Sequence, residues 1–262
     1  MKSPLVLGPM TARSRLEVTE IAVRSPRLPR AFVGFRVGLL TDLHYGPFVR
    51  AGFVRRVVDR LLGLGADLAV LGGDMVDRPS PAAAELAAML APLAARVPTV
   101  AVLGSHDYAG GGAGRYCACM RSAGIEVLVN ASRLLTRDGG TERIALVGLD
   151  DYHQGRPDAR AAFAGVPEGL FTLLAGHCPD LLDGLGGGAR VDLALCGHTH
   201  GGQIAFFGWA PLTFTRNGRY RRGLVDGPGF PAYISRGLGM TGLPIRWGAS
   251  PELPVITLRR SD

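Results

Sequence analysis

The run Cys196-Gly197-His198-Thr199-His200-Gly201-Gly202 closes an apolar stretch, Val191 to Cys196, and presents two imidazoles within one turn. A His-x-His pair at the end of a strand has the shape of half a metal site. Working outward, the arrangement recurs upstream. Asp42-Leu43-His44 follows Val37 to Leu40, and Gly73-Asp74-Met75-Val76-Asp77 follows Leu68 to Leu71. Gly104-Ser105-His106-Asp107 follows Val100 to Leu103, and Gly176-His177 follows Phe171 to Ala175. Any one of these residues alone reads as a helix cap or a hydrogen-bonded structural histidine. Five apolar runs each ending in a carboxylate or imidazole read as a ring of ligands, because loops at the carboxyl ends of strands are where open α/β sheets gather functional groups. Of the six histidines, only His153 falls outside these runs.

The chain has 262 residues, 47% of them hydrophobic, enough to fill a substantial core. Its formal charge is +7, and Lys2 is the only lysine. Arginine suits bidentate phosphate contacts, but the abundance of Ala, Gly, Leu and Arg throughout accounts for it as compositional bias. The arginines are spread along the chain rather than gathered in a stripe, which argues against a nucleic-acid partner. The four cysteines form no CxxC pair and no disulfide framework, so reduced thiols are expected; Cys178 and Cys196, beside the metal motifs, read as buried hydrophobes. No apolar run is long enough to span a bilayer, and Gly8 and Pro9 interrupt Leu5-Val6-Leu7, leaving no signal-peptide core. The expected location is cytoplasmic or peripheral to a membrane, and a leader removed from a longer precursor is compatible with that.

Residues 16–24 read as an edge strand, followed by a Pro-rich connector from Ser25 to Arg30. Strands are predicted over 35–41, 67–72 and 98–103. They alternate with helices over 51–64, 81–95, the latter capped by Ser80 with Pro81 at its first position, and 114–123. After Ile125 to Val129 the rhythm turns to strands over 142–149, 171–175, 191–196, 203–207, 231–235 and 254–259. No linker interrupts the chain. A single domain over 1–262 is expected, with 1–30 as its N-terminal strand and connector, and with two facing sheets carrying helices outside.

The ordered set Asp-x-His, Gly-Asp-x-x-Asp, Gly-Ser-His-Asp, Gly-His and Gly-His-Thr-His resembles the calcineurin-like metallophosphoesterase family from about Leu16 to the end. That resemblance implies an α/β four-layer α/β/β/α sandwich of two mixed sheets. Within the family, the Gly-His-Thr-His-Gly-Gly-Gln-Ile run and the tail from Ser235-Arg236-Gly237-Leu238-Gly239 through Pro251-Glu252 look like a bacterial subgroup of membrane-associated or exported phosphodiesterases. Carried over by residue, the resemblance implies one metal held by Asp42, His44 and His200, with Asp74 bridging to a second held by His177 and His198. Carboxylate and imidazole donors suit manganese, iron or zinc better than magnesium or calcium. Two such ions about 3.5–4 Å apart hold a hydroxide for in-line attack and neutralise phosphate oxygens. His106 is implied to protonate the leaving oxygen or stabilise the transition state, with Asp107 orienting it. The family's usual Asn, which lends a carbonyl oxygen to the second metal, is Ser105 here; a serine hydroxyl is shorter and a poorer donor, so weaker binding of the second ion is expected.

The function expected is hydrolysis of a phosphomono- or diester by a metal-bound hydroxide. Phe206, Phe207, Trp209, Pro211, Leu212 and Phe214, followed by Arg216, Arg219, Arg221 and Arg222, read either as a hairpin packing its aromatics into the core or as a lid or membrane-contacting edge. The second alternative suits a phospholipid or a nucleotide-diphosphate-linked lipid, such as the UDP-diacylglucosamine substrate of related family members. Two alternatives stand beside it: a nuclease or cyclic-nucleotide phosphodiesterase, and a catalytically weak metal-binding regulatory protein, which the Ser105 departure motivates.

Overall fold

The apolar runs become strands because their side chains alternate between two different cores. The computed structural model describes residues 5–11, 13–77, 82–109, 112–185, 190–205, 215–216 and 218–261. In chain order they form β1 (Leu5–Leu7), β2 (Glu17–Ser25), β3 (Arg36–Leu40), α1 (Ala51–Gly63), β4 (Leu68–Gly72), α2 (Ala82–Ala94), β5 (Thr99–Val102), α3 (Ser105–Tyr108), α4 (Ala113–Ser122) and β6 (Glu126–Val127). Then come β7 (Ala131–Thr136), β8 (Arg143–Gly148), α5 (Ala159–Phe163), β9 (Thr172–Ala175), β10 (Leu193–Cys196), β11 (Gly223–Asp226), β12 (Pro231–Ile234), β13 (Ile245–Trp247) and β14 (Glu252–Arg260).

One six-stranded sheet runs β2-β14-β3-β4-β5-β6 and the other β11-β12-β10-β9-β8-β7, while β1 and β13 pair as a separate ribbon. Both sheets are mixed: β3 to β6 are parallel in one, β8, β9, β10 and β12 in the other, and β14–β3, β7–β8 and β11–β12 are antiparallel. Val37, Leu39, Leu68, Val70, Val100 and Val102 of the first sheet meet Leu146, Leu173 and Leu195 of the second. The intervening Leu40, Leu71 and Ala101 pack instead under α1, α2 and α4, against residues such as Val57, Leu61, Leu90 and Met120. On the far side, Val147, Leu174 and Ala194 meet Ala162 of α5 and Leu181 and Leu182. This is the expected layering of helices, two sheets and helices. Each fully buried Leu or Val contributes about 1.5–3 kcal/mol relative to exposure, so shifting any central strand by one residue would exchange both cores.

The predicted helices appear at 51–63, 82–94 and 113–122, while Ser80 and Pro81 lie outside the described residues. The predicted strand over 203–207 is a correction. Ile204 makes only isolated bridges to Trp247 and Gly248, because Gly201, Gly202 and Gln203 take φ values of 60°, 85° and 49° and so turn the chain away from an extended ladder. Residues 206 and 207 lie outside the described set. The elements that the sequence pattern missed are marginal ones. β7 buries only Leu135, β11 is a sheet-edge strand with no buried residue, and α5 is a single short helix capped by the Asp158 carboxylate, which accepts the Ala161 N–H.

Candidate metal centre

The strands β3, β4, β5, β9 and β10 bring their carboxyl ends to one rim, where backbone bonds lace the following turns together. The Asp42 and His44 N–H groups donate to the carbonyls of Gly73 and Asp74 at 3.0 Å, Gly197 to His177 at 3.0 Å, and Leu238 to Thr41 at 3.0 Å. Asp42, His44, Asp74, His198 and His200 have φ values of 50°, 47°, 51°, 69° and 52°. Left-handed backbone at non-glycine residues costs about 1–3 kcal/mol each and clusters at functional sites. Here the strain turns the side chains inward from the rim. Glycine makes room for them: a Cβ at Gly104 would stand 2.3 Å from Asp74 Oδ1, and one at Gly197 would stand 2.3 Å from Asp42 Oδ2.

Two donor sets result. Asp42, His44 and His200 bring one ligand atom each within 4.8 Å of one another, and Asp74, His177 and His198 do the same. In the first set, His44 Nε2 and His200 Nε2 lie 3.1 Å apart, and Asp42 Oδ1 lies 3.5 Å from His200 Nε2. In the second, Asp74 Oδ2 is 3.2 Å from His177 Nε2, and His198 Nδ1 is 3.3 Å from the same nitrogen. These separations suit donors placed about 2.0–2.2 Å from a common ion. The same Asp74 oxygen is 3.7 Å from His44 Nε2, so one carboxylate faces both sets. Its Oδ1 accepts the His106 N–H at 2.8 Å, and Asp42 accepts the His198 N–H at 2.9 and 3.1 Å. His177 Nδ1 donates to the Gly72 carbonyl at 2.9 Å, which leaves Nε2 as the nitrogen that faces Asp74 and is open to an ion.

Burial sets the protonation. It drives His44 down to about 3 and, with the charges of His44 and Arg246, takes His200 well below the usual imidazole range, so both keep free lone pairs at neutral pH. Burial also pushes Asp42 up to about 6. His177 goes the other way: against burial, the Asp74 carboxylate holds it up to about 10, and His177 in turn holds Asp74 below the ordinary carboxylate range despite burial. The Nδ1 atoms of His44 and His200 are buried with no hydrogen-bond partner among the described residues. Buried carboxylates and neutral imidazoles, with the Nε2 atoms of His44 and His200 only 3.1 Å apart, together fit a pair of divalent ions.

His106 stands at the lip of the site, its side chain 34% exposed and its ring edge-on to His44 with centroids 4.6 Å apart. Its Nδ1 donates to the Asp77 carbonyl at 3.0 Å and lies 3.6 Å from Asp77 Oδ1. Asp107, expected to orient His106, is a correction. Its carboxylate accepts N–H groups from Met75, Val76 and Gly104 at 3.0, 3.3 and 2.9 Å, because α3 turns it back beneath the β4 loop, where burial and Asp74 push it up to about 7. Asp77 is the residue beside His106, and its signal was the second Asp of Gly73-Asp74-Met75-Val76-Asp77. Ser105 opens α3 next to His106.

The family profile for calcineurin-like phosphoesterases matches residues 35–202, from the start of β3 through the His198–His200 turn. The chain belongs to the calcineurin-like phosphoesterase family. As a member it is a hydrolase of phosphoesters, and the family works with a dinuclear metal centre. The metallophosphoesterase YkuE of Bacillus subtilis is 31% identical over 94% of this chain and 87% of its own length. The phosphodiesterase YaeI of Escherichia coli is 32% identical over 86% and 82%. A dimetal phosphatase from Danio rerio shares the fold, with a TM-score of 0.51 at 15% identity over 78% of this chain and 88% of that one.

Behind the site of this phosphoesterase lies a residue that the sequence reading passed over. Arg246 is 0% exposed, and its N–H groups meet the carbonyls of Ala249, Gly237, Gly239, His200 and Arg236. A guanidinium has five such donors, so this one is fully satisfied without a carboxylate partner. It ties the His200 turn to the 236–239 loop that backs Asp42. Next to it, Arg236 reaches Glu252 at 3.1 Å and Glu17 at 3.2 Å, and Tyr233 and Thr19 donate to Glu252 at 2.8 and 2.7 Å. The tail from Ser235 to Glu252 is therefore the wall behind Asp42. All four cysteines are free, and Cys178 and Cys196 are buried.

Proposed function

We propose that the protein hydrolyses a phosphodiester at two divalent ions, the first held by Asp42, His44 and His200, the second by His177 and His198, with Asp74 shared. The observation that carries this reading is the Asp74 carboxylate, which lies 3.2 Å from His177 and 3.7 Å from His44. When bound, such ions acidify a water for attack on phosphorus and neutralise charge on the phosphoryl oxygens; the mixed donors suit manganese, iron or zinc. His106, with Nδ1 occupied by the Asp77 carbonyl, keeps Nε2 to pass a proton to the leaving oxygen, and Asp77 fixes the ring. Both sheets contribute to the core between them, which supports one domain acting as a unit.

A lipid-bearing substrate is favoured by the β1–β13 ribbon. Register pairs Leu5 with Trp247 and Leu7 with Ile245, so these side chains share one face; Leu5, Leu7 and Trp247 are exposed while Arg246 on the other face is buried. The aromatic run 206–214 lies outside the described residues, and Arg222 Nη1 donates to the Gly248 carbonyl next to the ribbon at 3.1 Å. Apolar and basic groups together suit an anionic lipid surface. Among the described residues, no helix is long and apolar enough to cross a membrane.

The test is hydrolysis of bis-p-nitrophenyl phosphate with added Mn²⁺, alone and beside a diester lipid in anionic vesicles. Turnover of the soluble diester supports the two-ion reading, and faster turnover of the vesicle substrate at low salt supports the lipid. His106→Asn should lower kcat by about 10²–10⁴-fold with metal content unchanged. Loss of metal from that variant would make His106 a ligand instead.

A further inference from the structure

β8 ends much as the site strands do, in Gly148-Leu149-Asp150-Asp151-Tyr152-His153. His153 offers a ring nitrogen within 4.8 Å of ligand atoms of both Cys178 and His198, and its ring centroid lies 5.0 Å from that of His198. The turn that carries it is held firmly. Asp151 Oδ2 accepts the N–H groups of His153 and Gln154 at 2.9 and 2.7 Å. Asp150 accepts those of Asp151 and Arg156 at 2.8 and 2.9 Å, and the Tyr108 hydroxyl at 2.5 Å. Asp151 is 0% exposed, and its Oδ1 has no hydrogen-bond partner among the described residues. A buried carboxylate with an unsatisfied oxygen is costly unless positive charge lies nearby.

We propose that His153 is a ligand of the second metal position, completing the coordination there in place of the Asn carbonyl that the family resemblance leads one to expect where this chain has Ser105. This rests on the two-ion reading above. His198 belongs both to the set with Asp74 and His177 and to the set with His153 and Cys178, and His153 is exposed while Asp74 and His177 are buried, so His153 can close from the solvent side on an ion held against His198. Of the two further donors in reach, the imidazole binds a divalent ion at neutral pH without losing a proton, which the Cys178 thiol has to do. A nitrogen donor in place of a carbonyl oxygen shifts preference toward zinc and other late first-row ions, away from magnesium.

The experiment strips the full-length protein of metal by chelation and titrates it with Zn²⁺ alone, reading stoichiometry and both dissociation constants by calorimetry and elemental analysis. The parent should bind two ions, and His153→Ala should keep the first dissociation constant while raising the second by about tenfold or more. Because His153 is exposed, the metal-free variant should melt at the parent's temperature. Asp74→Ala marks what loss of shared coordination looks like in the same assay. An unchanged second dissociation constant in His153→Ala overturns the proposal, even if KM or kcat moves, since that would place His153 on the substrate. A parent that takes up only one ion overturns the two-ion reading itself, a result separable from the first because it appears before any substitution is made.

Discussion

The two halves of the site are sealed to different degrees. Asp42, His44 and His200 are 0%, 1% and 2% exposed, with Arg246 and its cage of carbonyls behind them. In the other half, Asp74 and His177 are 3% and 0% exposed, yet His198 is half-buried and His153 is exposed. The electrostatics differ in the same sense. The first half has two imidazoles that burial keeps neutral, whereas in the second the proton on His177 is shared against Asp74. The first donor set could take an ion as it stands, while the second would have to give up a proton for it. Both halves face a single carboxylate, Asp74, and that gives the first way to break the comparison.

Asp74→Ala should abolish hydrolysis and lower metal content at both positions, because its oxygen faces His177 at 3.2 Å and His44 at 3.7 Å. Elemental analysis of the purified variant checks this. Retention of one tightly bound ion would mean that Asp74 serves only the second half. Retention of both ions with full activity would refute the shared-carboxylate geometry altogether.

The next contrast is in pH. Metal competes with protons for its ligands. Below a ligand's pKa in the metal-free protein, affinity rises about tenfold per pH unit for each proton displaced; above it, affinity is flat. His177 is held up to about 10, so the second ion's affinity should climb through neutrality, by about a hundredfold between roughly pH 6.5 and 8.5. In the first half, His44 and His200 are already neutral and Asp42 loses its proton at about 6. Affinity there should stay nearly level over the same range and fall only as pH drops below about 6. Calorimetry in buffers of different ionisation enthalpy should count one proton released with the second ion and almost none with the first. Equal proton release at both positions would erase the distinction.

What the sequence disclosed follows the same division. The central strands and the five turns that carry the candidate ligands were legible because the runs Val37–Leu40, Leu68–Leu71 and Leu193–Cys196 are apolar on both faces and give way within three residues to a carboxylate or imidazole. The edge strands β7 and β11 were not, since they bury little and so leave no periodic trace. Asp107 was misassigned because adjacency in sequence says nothing about direction. In α3, successive side chains diverge by about 100°, so Asp107 points into the protein while His106 points out. Arg246 was invisible for a related reason, as its role depends on five carbonyls brought together from three separate stretches of chain. His153 lacked the Gly-His or Asp-x-His signature of the other strand ends, although it too follows a buried strand.

The smallest and sharpest effect concerns Ser105. Its hydroxyl is a weaker donor than the carbonyl of an Asn, so the second ion should bind less tightly than the first. If His153 already supplies a donor there, Ser105→Asn in the parent adds a ligand to a position that is nearly complete and should tighten the second ion only a few-fold. In the His153→Ala background the same substitution meets a position short of one donor and should recover most of the affinity lost. The two substitutions are then non-additive, as expected when residues act on one ion and not when they act at independent sites. Zn²⁺ titration of the four proteins in this cycle gives the coupling directly. Equal effects of Ser105→Asn in both backgrounds would show that Ser105 and His153 do not serve the same position, and would leave the openness of the second half to be explained by burial alone.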